Sequence, residues 1–164
     1  MGTRGVQAPA MAVAIRHILC PIDFSELTPP VVGWAAHLAA THGARVTLLH
    51  AYHLPVEFQQ LEGAYLPPEF WSSVKEEAQQ GVARHAEPLR ARGIEVDEEV
   101  REGYPASVIT EAAEELGADL IVIGTHGLTG IRHLLLGSIA ERVIQRAPCP
   151  VLTVKAPRGS SEGS

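Results

Sequence analysis

The residues of this chain best suited by type and spacing to do chemistry are glycines. They run Gly124-Thr125-His126-Gly127-Leu128-Thr129-Gly130, and after Ile131 to Leu136 comes the pair Gly137-Ser138. An apolar run, Ile121-Val122-Ile123, feeds straight into the first of them, and a helical pattern follows the last. Glycine lets backbone approach an anion closely and aim successive N–H groups at it. The unpaired N–H groups at a helix start add partial positive charge. Strand, glycine loop and helix N-terminus together are a recipe for holding phosphate. No Gly-Lys-Ser/Thr follows, so the loop is not a Walker A sequence, and the dinucleotide fingerprint GxGxxG is absent too. A turn-rich connection with purely structural glycines explains the same composition. Ser138-Ile139-Ala140-Glu141 also reads as an S-x-x-E capping box, which needs no ligand.

Asp23 is the second candidate, in Pro21-Ile22-Asp23-Phe24-Ser25 after an apolar run. It suits either a ligand contact or a local turn cap. His50 and His53 have an H-x-x-H look but no third ligand near them, so they are read as strand-end residues rather than a metal site. His126 and His133 flank the glycines as possible phosphate donors, with no acid or nucleophile partner to make them catalytic. Trp34 and Trp71 are read as packing residues lying against the sheet. No catalytic constellation is visible.

The elements that must position these residues alternate. Apolar runs at Ile15 to Ile22, Arg45 to Ala51, Ile94 to Val100, Asp119 to Ile123 and Val151 to Val154 read as strands. Four are nearly continuous in apolar character, as strands buried on both faces should be. The third alternates Ile94, Val96 and Val100 with Glu95, Asp97 and Glu99, and reads as an edge strand. Thr28 is the expected N-cap of the first helix, with Val31, Ala35 and Leu38 on its buried face and Gly43 as its stop. A second helix is expected from about Pro68 to Arg92, kinked or broken at Pro88. The third carries Ile109, Ala112, Ala113 and Leu116 and ends at Gly117. The fourth starts at Ser138 and carries Ile139, Val143 and Ile144 before Pro148 ends it. This alternation predicts an α/β fold: a three-layer α/β/α open parallel five-stranded sheet, Rossmann-like, in the order 3-2-1-4-5. Its switch point falls between the first and fourth strands, at the carboxyl ends where Asp23 and the glycine loop lie.

A length of 164 residues suits one domain, read as 14–156, with a loose extension at 1–13 and a polar tail at 157–164. The polar, aromatic stretch from His53 to Trp71 reads as a surface loop able to act as a lid. A net charge of −6 argues against nucleic-acid partners. No run approaches the ~20 apolar residues of a membrane helix. The two cysteines, Cys20 and Cys149, lie far apart, each before a proline, and read as reduced thiols of a cytoplasmic protein.

The segment GTHGLTGIRHLLLGSIAERVIQRAPCPVLTVK resembles the C-terminal half of the universal stress protein family. The family's ATP-binding branch shows Gly, two residues, Gly, nine residues, then Gly-Ser or Gly-Thr, a spacing that Gly124, Gly127 and Gly137-Ser138 fit without a gap. HILCPIDFSE and RVTLLHAY resemble its first and second strands, so the likeness spans Ile15 to Lys155. The resemblance implies an ATP site. Gly124, Thr125, His126, Gly127, Leu128, Thr129, Gly130, Gly137, Ser138, Ile139 and Ala140 would wrap phosphates and ribose. Asp23, beside Pro21, would sit near the ribose or a phosphate bridged by Mg2+, and Ala51 would offer backbone hydrogen bonds to adenine. Leu128 departs from the basic or polar residue many members carry there, and Arg132 could compensate. The resemblance further implies a homodimer through the last strand, Val151 to Val154. The expected role is a nucleotide-responsive stress or signalling module, against the alternatives of a slow ATPase or phosphotransferase and a nucleotide-free interaction module.

Overall fold

The computed structural model describes residues 12–53, 66–127 and 136–156. Five parallel strands form one sheet in the order β3-β2-β1-β4-β5: β1 His17–Pro21, β2 Arg45–Tyr52, β3 Val96–Glu102, β4 Leu120–Gly124 and β5 Val151–Val154. Helices α1 Thr28–His42, α2 Pro68–Ala91, α3 Pro105–Glu115 and α4 Ser138–Arg146 make the connections. Two apolar clusters cover the two faces of the sheet. Ile18, Cys20, Val46, Leu48 and Val122 pack with α1 and α2, whereas Leu19, Leu49, Ile121 and Ile123 pack with α3 and α4. Strand residues alternate between faces, so β1, β2 and β4 are apolar on both faces over most of their length. The expected topology and the edge position of β3 are both observed.

Register explains where the crevice opens. β1 pairs with β2 over five residues, His17 to Pro21, but with β4 over two, Ile18↔Leu120 and Leu19↔Ile121. The carbonyl of His17 accepts from Asp119 on the β4 side, and the N–H of Ile22 donates to Leu49 on the β2 side. By this alternation the nitrogen of Pro21 faces β4, and proline has no N–H to give. The β1–β4 ladder therefore stops at Leu19. Below the ladder, the opposite end of the sheet is closed by polar contacts. Buried His17 sets Nε2 2.7 Å from the Thr47 hydroxyl, and an Asp119 carboxylate oxygen accepts from the N–H groups of Arg16 and His17.

Several local expectations need correction. α1 is capped by Leu27, not Thr28; residue 27 is already in the right-handed helical region, and the Thr28 hydroxyl turns to Asp23 instead. Trp34 does not lie against the sheet but is 50 % exposed. The face of α1 that meets the sheet is built from Val31, Val32, Ala35, Ala36 and Ala39, and Trp34 projects nearly opposite it. α2 runs unbroken through Pro88, three residues before its end, where few further turns depend on the missing donor. On α4, Val143 is buried but Ile144 is largely exposed, because a nine-residue helix lying on one face of the sheet covers only a narrow stripe. Gly43 and Gly117 end their helices in the left-handed region as expected.

Candidate functional site

A cavity of about 540 Å³ opens at the carboxyl ends of β1 and β4, the size of a small-molecule site. Its walls are apolar, with Ile22, Leu27, Val31, Leu49, Ile109 and Ile123 coming from both clusters. Its polar groups come from four chain segments: the β1–α1 turn, the end of β2, the end of β4 and the start of α4. The described lining contains the carboxylate of Asp23 and the imidazoles of His50, His53 and His126, with no Lys or Arg.

Among the described residues, the end of β2 offers an unused backbone edge. Arg45 and Leu49 bond toward β1, so Ala51 turns its N–H and C=O the same way, two residues beyond the last β1 pair at Leu49. The carbonyl of Ile22, which could have met it, accepts from His50 Nδ1 at 2.8 Å. On the other side of the switch point, α4 begins without a side-chain cap. Its N-cap is Gly137, and the first intrahelical bond runs from the N–H of Glu141 to the Gly137 carbonyl. The capping box expected at Ser138 is thus not formed; Ser138 is the first helical residue and is exposed. The N–H groups of Ser138, Ile139 and Ala140 precede that first bond and have no helical carbonyl to meet. All three residues line the cavity.

Two glycines of the cavity lining stand at close approaches. At Gly137 the N–H donates to the Thr125 carbonyl at 2.6 Å, and a Cβ would lie 2.9 Å from that same oxygen. At Gly127 a Cβ would collide with Asp23 Oδ2. The Asp23 carboxylate is held by its other oxygen, Oδ1, which accepts from the Ser25 N–H at 3.0 Å and from the Thr28 hydroxyl at 3.4 Å. Among the described residues, Thr125 Oγ1 and His126 Nδ1 are buried polar atoms without a partner. An orphaned donor or acceptor beside a cavity costs stability unless something fills it.

Of the residues expected in the site, Pro21, Asp23, Ala51, Gly124, Thr125, His126, Gly127, Gly137, Ser138, Ile139 and Ala140 all line this one cavity. Leu128, Thr129 and Gly130, with Arg132 and His133, lie outside the described residues. Sequence reasoning missed the apolar walls, whose signal was the position of Leu49, Ile109 and Ile123 near the carboxyl ends of buried elements. It also missed Phe24, which no local pattern marks. Among the described residues no group of three or more His, Cys, Asp or Glu forms a metal cluster. No described helix is long and apolar enough to cross a membrane.

Comparison with known proteins gives this arrangement a family. Residues 14–155 match the family model described as the universal stress protein family. The universal stress protein MJ0531 of Methanocaldococcus jannaschii is 37 % identical over 145 residues, covering 87 % of this chain and 84 % of that one. The solved structure of the hypothetical protein MJ0577, from the same organism, superposes with a TM-score of 0.79 at 31 % identity, covering 90 % of this chain and all of the other. The universal stress protein from Archaeoglobus fulgidus in complex with dAMP superposes with a TM-score of 0.59 at 25 % identity, over 88 % of this chain and 100 % of that chain. With the sheet, the switch-point crevice and the glycine spacing all inside the matched span, this chain belongs to the universal stress protein family.

Proposed function

We propose that the protein binds ATP in the switch-point crevice and acts as a nucleotide-responsive stress or signalling module. The observation that carries this reading is the uncapped start of α4, whose free N–H groups line the same cavity as the free backbone edge of Ala51. Phosphate at the helix start and a base edge at Ala51 use groups that lack partners among the described residues. The apolar walls suit the faces of a purine, and the dAMP complex of the Archaeoglobus fulgidus relative supports an adenine nucleotide as the class of ligand. With no Lys or Arg in the described lining, backbone dipoles and histidines would meet the phosphate charge, aided by Mg2+ held at Asp23. A lone carboxylate suits Mg2+, which keeps waters and phosphate oxygens as its remaining ligands. We also propose a cytoplasmic homodimer joined along β5, with no nucleic-acid partner.

The Asp23 carboxylate in the cavity favours a second reading, a slow ATPase or phosphotransferase. Mass spectrometry of the purified protein and calorimetric titration with ATP and Mg2+ test the site; absence of binding rejects it. Single-turnover assays with labelled ATP separate the two readings. Phosphate release that disappears in Asp23→Ala would replace the binding module with an enzyme.

A further inference from the structure

Among the described residues, Phe24 is the one non-glycine residue with positive φ, at +62°. A bulky side chain there is strained, and such strain persists where the surroundings over-determine it. The surroundings of Phe24 do so. Its ring stacks on His50 with centroids 4.3 Å apart, and on His85 of α2 at 5.9 Å, each pair 28° from parallel. Both imidazoles are themselves fixed, His50 Nδ1 donating to the Ile22 carbonyl and His85 Nδ1 to the Gly81 carbonyl, each at 2.8 Å. The ring tip rests on α2 where Gly81 has no side chain; a Cβ there would lie 2.6 Å from Phe24 Cζ. On the other side of the same residue, the Ser25 N–H reaches back to Asp23 Oδ1. That bond spans residue 24, so the backbone angles of Phe24 set where the Ser25 amide stands relative to the carboxylate.

We propose that Phe24 is the positioning residue of the nucleotide site. Clamped between His50 and His85 over the bare backbone of Gly81, the ring holds residue 24 in the left-handed region. That conformation fixes the Asp23 carboxylate at the mouth of the cavity. The inference rests on the nucleotide reading and adds to it a mechanical link from α2, through Gly81, to the ligand. Neither Phe24 nor Gly81 lines the cavity.

The test separates backbone conformation from packing. Phe24→Ala removes the clamp and leaves the left-handed penalty; Phe24→Gly removes the clamp but tolerates the conformation, and Phe24→Asn is intermediate. Calorimetric titration with ATP and Mg2+ should show about tenfold weaker binding for Phe24→Ala, a loss of about 1.4 kcal/mol, and loss within about threefold for Phe24→Gly. Melting temperatures should fall in both, since both lose the ring, and further in Phe24→Ala, which alone keeps the left-handed penalty. Gly81→Ala keeps Phe24 but displaces its ring, and should also weaken binding about tenfold. Added to Phe24→Gly it should weaken binding no further. If Phe24→Ala does not fold, Gly81→Ala carries the same test. Equal losses in the Ala and Gly variants, or wild-type affinity in Gly81→Ala, would overturn the positioning role while leaving the nucleotide site intact. No binding by the wild-type protein would overturn both.

Discussion

Gly137 is the joint between the end of β4 and the start of α4, and replacing it with alanine gives a calculable strain. The added Cβ would stand 2.9 Å from the Thr125 carbonyl oxygen, against the 3.4 Å or more of ordinary contact, so about half an ångström must be found. Neither side yields easily. The carbonyl belongs to backbone anchored by the Thr125 N–H on Val154, and the other side is the N-cap of a helix. Small overpacking of this kind costs about 1–3 kcal/mol. Alanine at an N-cap adds roughly 0.5–1 kcal/mol over glycine. At about 2–4 °C per kcal/mol for a chain of this size, Tm should fall by about 3–16 °C. The start of α4 should move away from β4, drawing its free N–H groups off the proposed phosphate position and weakening ATP binding about tenfold. Circular dichroism melts and calorimetric titration on one preparation measure both quantities. A Tm within a degree of wild type together with wild-type affinity would refute the geometry of the joint.

Gly33 offers the opposite case: it sits on the exposed side of α1 with open space where a Cβ would go. Gly33→Ala should therefore stabilise the protein by about 0.5–1 kcal/mol in urea unfolding, and a loss of stability would contradict the placement. Burial, helped by nearby Arg45, lowers the pKa of His17 from 6.5 against the opposing pull of Leu116, Asp97 and Asp119. The unfolded chain then binds the proton first, so stability should decline as pH falls from 6.5 to the folded-state pKa and this contribution should level off below it. Unfolding curves for wild type and His17→Gln that run parallel between pH 8 and about pH 5 would refute this. Burial pushes the Cys20 thiol up to about 12 and also raises Cys149, which is only half-buried. Iodoacetamide at about pH 8 should reach Cys149 first and Cys20 only when denaturant opens the sheet; early Cys20 labelling would place it wrongly.

The fold was legible because each layer leaves its own period in the sequence. Continuous apolar runs such as Leu120 to Ile123 suit strands covered on both faces, and the acidic alternation around Asp97 suits an edge. The site was legible as a place, since strand order determines the switch point and the glycine spacing falls beside it. What escaped were decisions made by tertiary contact. Ser138 has the residue type of a cap, yet the cap moved to Gly137 because the Thr125 carbonyl leaves no room for a side chain there. Thr28 lost the same role because Asp23 drew its hydroxyl away. Trp34 was assigned to the core on size, although alanines give α1 its close seat on the sheet. Phe24 was silent because its contacts are His50 of β2 and Gly81 and His85 of α2, all distant from it in sequence.

Pro21 has a consequence that reaches beyond topology. Two parallel strands with free edges tend to continue pairing, and a cleft between them would have to be prised open by whatever enters it. The ring nitrogen of Pro21 removes the next donor on the β4 side, so pairing stops at Leu19↔Ile121 whether or not a ligand is present. The cost of separation falls on folding, once, and not on each encounter. The free energy of uptake is then spent on contacts with the ligand, and the rims of β1 and β4 should superpose in empty and occupied protein. A residue that forms no hydrogen bond from its nitrogen thereby makes the crevice a standing feature of the molecule.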